Sequence, residues 1–291
     1  MRKERHETKD GNRTVIREGD RTIERDGKHA IIRHNEADRF AVGARDVKVN
    51  RNGDQTVSII LRPNGISIVS TTDRDGHLIR RVRRDRSGHE VVIIDDSFSG
   101  ARRGDYFVDL APPQFRDHRD RYIVDARRAK PERIYQILLA QPVQHIDRRY
   151  TIDQVRYNYP LREYMPRVDL DINFDTGSWQ LSRGQAAELS VIARGINRAI
   201  DKNPREVFLI EGHTDAVGSA DDNLSLSDRR AEAVAIALTE QFQVPPENLV
   251  TQGYGEENLK LATQGAAREN RYVAVRRITP LIGQARIEGA R

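Results

Sequence analysis

The stretch IEGHTDAVGSADDNLSLSDRRAEAV, residues 210–234, says most about how this chain folds. It overlaps EVFLIEG (206–212), a short apolar run that reads as a buried strand. The run stops in GHTDAVGS, a turn of small and polar residues. Ser225, with Asp228 three residues on, reads as a capping-box-like start and predicts a helix to about residue 242. Ala231, Val234 and Leu238 then share the inner face of that helix. The turn brings one acid, Asp215, and one arginine, Arg230, to the same strand-to-helix junction. Two readings of the pair stay open here. It is a clamp for a ligand bearing both charges, or an internal salt bridge, which at a surface contributes only about 0–1 kcal/mol.

Strands and helices alternate on both sides of this stretch. VDLDINF (168–174) reads as a strand, and Ser182 caps a helix through about residue 202. Leu189, Ile192, Ala193, Ile196 and Ile200 line one face of that helix. Residues 249–252 form a strand closed by Gly253-Tyr254-Gly255, and 272–278, alternating and β-branched, form the last one. The order predicts a mixed sheet with helices on one side, an α+β unit over residues 166–282.

The amino-terminal half reads differently. Gly11, Gly19 and Gly27 are eight apart and separate short strands at 14–17, 22–25 and 30–33. Asp-Gly and Gly-Asp turns connect them, as hairpins favour. These strands carry few apolar residues, so residues 1–43 are either a charged low-complexity extension or a sheet that needs a neighbour. Gly53, Gly65, Gly76 and Gly88 then punctuate a second series, with Val57, Ile59 and Leu61 in period-two alternation. Residues 44–96 read as an antiparallel meander of four or five strands. Arginine on both faces of HLIRRVRR argues against a lipid-facing barrel. Residues 97–165 read as a mixed helical and loop connector. It holds the loop SFSGARRGD, a short helix from Pro131, and a second helix capped by Thr151. Tyr150, Tyr157, Tyr159 and Tyr164 cluster there, which points to packing against the following domain. The tail 283–291 reads as mobile.

Composition narrows the chemistry. The 291 residues include 49 Lys and Arg, 44 Asp and Glu, and no Cys, for a net charge of +5. Structural disulfides, thiolate metal sites and a cysteine nucleophile are excluded. Both signs are mixed along the chain, which argues against a dedicated nucleic-acid binder, although RRVRRDR (80–86) is a basic cluster. His213 has no companion at metal-ligand spacing, and no nucleophile–base set accompanies the turn. No catalytic residue, metal or cofactor is therefore expected. No stretch approaches the roughly 18 apolar residues of a membrane helix. MRKERHETKDG lacks the apolar segment of a secretory leader, so the expectation is a cytoplasmic chain or one whose leader is absent.

Four linked pieces carry a resemblance. INFDTGSWQL (172–181), the stretch quoted above, QGYGEENL (252–259) and RENRYVAV (268–275) follow one another in the order and spacing of the outer-membrane-protein-A-like (OmpA-like) peptidoglycan-binding domain. The resemblance covers about residues 166–282 and implies a βαβαββ mixed-sheet domain behind the β-rich amino-terminal region. It also implies a non-enzymatic module that holds peptidoglycan at the diaminopimelate of its stem peptide. Asp215 would accept the ligand's ammonium. Arg230 would grip its carboxylate through a planar fork. Asn223, Arg271 and the backbone at Gly177 and Val217 complete the implied ligand set, with His213 and Thr214 shaping the turn. Gly265 stands one position earlier than usual, and Tyr272 stands where a second arginine is common.

The function so implied is a cell-envelope anchor in the periplasm, tied to the outer membrane or cell wall. A protein or outer-membrane partner is expected for the amino-terminal β region. Rival readings are a flagellar-stator-like anchor, which needs an upstream membrane helix, and an envelope scaffold whose β region binds protein. A muramyl-peptide hydrolase would need the nucleophile or metal ligands that the sequence lacks. A nucleic-acid role would rest on RRVRRDR alone.

Overall fold

The computed structural model describes residues 5–98 except 12 and 28, then 106–115, 121–170, 172, 174, 175 and 177–282. The expected tail at 283–291 and positions 99–105 of the SFSGARRGD loop lie outside the described residues.

Four hairpin-linked strands open the chain: β1 (Arg5–Asp10), β2 (Arg13–Glu18), β3 (Arg21–Asp26) and β4 (His29–His34), in sheet order 1-2-3-4. The turns at Gly11, Gly19 and Gly27 all take positive φ, which a side chain would resist. A short helix, α1 (Glu36–Ala41), leads into a second antiparallel sheet. Its strands are β5 (Asp46–Asn52), β6 (Gln55–Leu61), β7 (Ser67–Asp73), β8 (Leu78–Arg84) and β9 (Glu90–Asp95), in sequence order.

The third sheet holds the carboxy-terminal strands. After β10 (Ile123–Asp125) come α2 (Pro131–Leu138), α3 (Ile152–Tyr157), α4 (Tyr159–Arg162) and β11 (Arg167–Leu170). Then follow α5 (Arg183–Glu188), α6 (Ser190–Lys202), β12 (Phe208–Gly212), α7 (Ala220–Phe242), β13 (Leu249–Gly253), β14 (Val273–Arg277) and α8 (Thr279–Ile282). Sheet order is β10-β11-β14-β12-β13, with β10/β11 and β12/β13 parallel and the β14 pairings antiparallel. The segment 97–165, expected as a connector, thus also supplies a strand to this sheet.

Three features differ from expectation. First, the helix from Ser182 is two helices: the capping box of Ser182 and Gln185 opens α5, and α6 follows past Leu189. Second, α7 begins at Ala220, capped by Ser219, and Ser225 lies buried within it. Third, the sheet is covered on both faces. Phe208, Ile210, Val273 and Val275 pack with α2, α6 and α7. Leu209 and Val250, pointing the other way, pack with Tyr150, Ile152, Val155, Leu161 and Tyr164, and with Ile93 and Ile94 of β9. Two of the four clustered tyrosines, Tyr150 and Tyr164, are therefore core residues of the second face.

The amino-terminal sheet has its neighbour in α7. Ile16, Ile23 and Ile32 form one apolar row closed by Leu224. Burying each isoleucine contributes about 1.5–3 kcal/mol. Ion pairs fix the same interface. Asp228, fully buried on α7, receives Arg21 Nε at 2.9 Å, lies 2.9 Å from His34 Nδ1, and accepts the Gly253 N–H at 3.1 Å. The segment β4–α1 also caps the outer edge of β13. Arg39 Nη2 donates to the Leu249 carbonyl at 2.8 Å, and the Thr251 N–H donates to Glu36 at 3.3 Å. Side chains thus occupy an edge that would otherwise invite strand pairing.

Candidate functional site

Two glycines let α7 press onto the sheet. A Cβ on Gly212 would stand 2.0 Å from the Ser227 carbonyl oxygen, and one on Gly253 would stand 2.3 Å from the Asp228 nitrogen. No side chain fits either place. This close approach sets the loop 213–219 over the carboxyl ends of β12 and β13. Backbone bonds hold it there: His213 N–H to the Tyr272 carbonyl at 2.9 Å and Thr214 N–H to the Gly255 carbonyl at 2.8 Å. The His213 ring lies flat on Tyr272, 4.2 Å between centroids, and burial keeps its pKa below the ordinary value. It serves as a neutral packing element under the loop.

A cavity of about 350 Å³ opens between this loop, the first turns of α7, and the residues before β14. Gly177, Asp215, Val217, Asn223, Arg230 and Arg271 all line it. The structure thus brings together all six residues of the implied ligand set. Thr214, Asp222 and Leu226 line it as well. Asp222, Leu226 and Arg230 are spaced four apart, one stripe of α7. A helix begun at Ser225 leaves Asp222 outside, which is why sequence reading missed that member of the stripe.

Asp215 and Arg230 do not pair with one another. Asp215 Oδ2 accepts Arg271 Nη1 at 2.6 Å. Arg230 donates through Nε to the Ser178 carbonyl at 3.0 Å and through Nη2 to the Asp175 carbonyl at 3.3 Å. Its guanidinium also lies 4.9 Å over the Phe174 ring. Arg230 is 2% exposed. Burial, reinforced by the like charge of Arg271 and opposed by Asp215, pushes it down to about 10, so it stays cationic at neutral pH. A buried guanidinium bonded only to neutral carbonyls keeps an unneutralised charge, the condition under which an arriving carboxylate is most favoured. Asn223 reaches across to Glu256 at 2.7 Å, tying α7 to the loop after β13. The neighbouring Arg229 pairs with Glu18 at 3.3 Å and lies over the Trp179 ring.

A buried guanidinium and a carboxylate held apart from it thus share one cavity on a mixed α+β sheet. Residues 173–272 match the OmpA family, so this part of the chain is an OmpA-like domain. Outer membrane porin F of Pseudomonas aeruginosa is 33% identical over 90 residues, which are 31% of this chain and 25% of that protein. The chain therefore spans about a quarter of the length of this curated relative. Among solved structures, the OmpA-like domain of FopA1 from Francisella tularensis is 18% identical, with a TM-score of 0.32 over 38% of this chain and 70% of that one. The peptidoglycan-associated lipoprotein of Burkholderia pseudomallei is 25% identical, with a TM-score of 0.31 over 36% and 86%. The periplasmic domain of MotB from Helicobacter pylori is 21% identical, with a TM-score of 0.31 over 36% and 67%. No described helix is long and apolar enough to cross a membrane.

Proposed function

We propose that the chain is a non-catalytic cell-envelope protein that holds peptidoglycan at the diaminopimelate of the stem peptide. The amino-acid headgroup of that residue carries an ammonium and a carboxylate on one carbon. Asp215 takes the ammonium, in place of or beside Arg271. Arg230 takes the carboxylate, and Arg271, Asn223 and the backbone at Gly177 and Val217 close the site around it. Anchoring the outer membrane or a periplasmic assembly to the wall follows from that grip. The amino-terminal sheets are left to engage an envelope partner.

The observation that carries this reading is that Asp215 and Arg230 share one cavity without neutralising each other. Each charge-assisted bond to the headgroup contributes about 1.5–3 kcal/mol. The test is sedimentation with purified sacculi of the meso-diaminopimelate type and of the lysine type. Wild type is retained by the first far more than by the second, and Asp215→Ala and Arg230→Ala lose roughly tenfold or more in affinity. Equal retention of wild type and both variants removes the proposal.

A further inference from the structure

The second sheet turns an aliphatic row away from the rest of the molecule. Ile59 pairs with Val69, Val69 with Val82 and Val82 with Val92, so four aliphatic side chains cross β6, β7, β8 and β9 in one line. Val57 and Leu61 flank Ile59 on the same face of β6. The adjacent register row, Ser58, Ser70 and Arg81, points the opposite way, and Arg81 there bonds Glu36 of α1. An antiparallel sheet with one free face normally turns polar residues to water and apolar ones to the core. Here the outward row is the more apolar of the two.

Among the described residues, no other element joins this face in an apolar cluster. Ile60 and Ile68, on the inward face, pack with Phe40 of α1. Val57, Ile59, Leu61, Val69, Val82 and Val92 belong to none of the buried clusters. Val82 is shielded at the centre of the row, and the other five stay half-buried. Ion pairs on this face stay within the sheet: Lys48 with Asp46 at 3.6 Å, and Arg84 and Arg80 with Glu90 at 2.6 and 4.0 Å. With Asp95 opposite Arg80, three acids stand against three bases. Asp73, at the end of β7, is engaged by its own turn and by His77. An apolar patch rimmed by polar residues marks an interaction surface.

We infer that two copies of the chain meet on this face, sheet against sheet. Short β-branched side chains make a shallow pleat, without the large apolar side chains and basic face that enter a lipid surface. The balanced charges give no pull toward anionic lipid and no net repulsion between identical faces. Two sheets of the same right-handed twist fit one another at about 30°, with their side chains interdigitating. The area suffices. Five strands about 4.8 Å apart, with about seven residues of about 3.3 Å each, give a face of roughly 550 Å². Two such faces together clear the roughly 1,000 Å² that a specific interface needs. The inference is independent of the peptidoglycan reading, because none of the six residues lines that cavity.

The test is sedimentation equilibrium of the full chain. Wild type is expected to be a reversible dimer that dissociates on dilution. Val69→Lys puts an ammonium into the middle of the covered row from each copy, and is expected to raise the dimer dissociation constant roughly a hundredfold or more. Urea denaturation at a concentration where wild type is monomeric checks that the variant folds. Should it fail to fold, Ile59→Thr, which keeps a branched β-carbon, is expected to raise the constant roughly tenfold. Flotation with phosphatidylcholine vesicles, with and without phosphatidylglycerol, runs beside it. A monomer at every concentration, or a dimer whose affinity neither variant changes, overturns the inference. So does a monomer that floats with the vesicles, which would make a lipid surface the occupant.

Discussion

Arg271 Nη1 lies 2.6 Å from Asp215 Oδ2, so the acid of the proposed peptidoglycan site is already engaged before any ligand arrives. An ammonium entering the cavity must share Asp215 with that guanidinium. The Arg271 side chain is one-third exposed, so the pair itself adds only about 0–1 kcal/mol to folding.

Arg271→Ala therefore has two opposing effects on binding. On the proposed binding mode it removes one donor to the ligand carboxylate and frees Asp215 for the ammonium. The expected outcome is a change of less than roughly tenfold in affinity for a diaminopimelate-containing stem peptide, against a loss of roughly tenfold or more for Arg230→Ala. Calorimetry with the peptide decides. A larger loss in Arg271→Ala than in Arg230→Ala would show that Arg271, not Arg230, is the main carboxylate grip.

Gly212→Ala is expected to destabilise the fold strongly. The added methyl meets the Ser227 backbone 2.0 Å away, and a backbone carbonyl within a 23-residue helix has little room to retreat. Overpacking of this kind costs typically about 1–3 kcal/mol, and here more, because α7 must lift from β12. Urea denaturation reads the change, and a midpoint equal to wild type would mean that the helix rides freely on the sheet.

Asp228→Ala tests whether the amino-terminal sheet is fastened to α7 by charge. It leaves Arg21 and His34 facing each other with their shared carboxylate gone. Breaking a buried pair by removing one partner costs about 3–5 kcal/mol. Limited proteolysis is expected to release the first 34 residues earlier than in wild type. Asp228→Asn, which keeps the volume and an acceptor for the Gly253 N–H, is expected to be milder.

These interfaces mark where sequence reading ended. The hairpin turns were legible because positive φ at Gly11, Gly19 and Gly27 is a local demand that glycine answers locally. The start of α7 was not. Ser219 and Ser225 are both followed three residues later by an aspartate, so the local signal is the same at each. Burial decides between them, since the Ser225 hydroxyl donates to Glu18, 207 residues away. The three-residue strand β10 was illegible for a related reason: it exists because Val124 sits beside Val168, not because of any pattern of its own. Of the candidate site, the charged groups were visible through their linked motifs. Their partners were not, because the carbonyls of Asp175 and Ser178 carry no side-chain signature.

Asp96 gives a pH prediction. Burial, with the like charges of Asp153 and Asp95 adding, raises its carboxyl to about 7, although the Ile152 N–H bond at 2.8 Å opposes this. The folded state thus holds a proton that the unfolded chain gives up near 3.8. Stability from this group is full below about pH 4 and falls as pH rises through about 7. Asp96→Asn keeps an acceptor and carries no charge. It is expected to be more stable than wild type by a few kcal/mol at pH 8 and to differ little at pH 4, measured by denaturant midpoints. Parallel curves for the two proteins between pH 4 and 8 would place the titration elsewhere.

Arg230→Lys separates charge from geometry at the proposed peptidoglycan site. Arg230 spends Nε on Ser178 and Nη2 on Asp175, and it lines the cavity. On the proposed binding mode, one planar group thus fixes the loop ahead of α5 and meets the ligand at the same time. A lysine ammonium keeps the charge but is a single point on a flexible stem, and it cannot bridge two carbonyls and a carboxylate in one plane. If attraction were purely Coulombic, the lysine variant would retain most of the affinity and lose it steeply with salt. The fork geometry predicts instead that Arg230→Lys binds stem peptide about as weakly as Arg230→Ala, with little recovery at low ionic strength. Titrations at two salt concentrations distinguish these outcomes, because only a bare charge grip strengthens as the salt is removed.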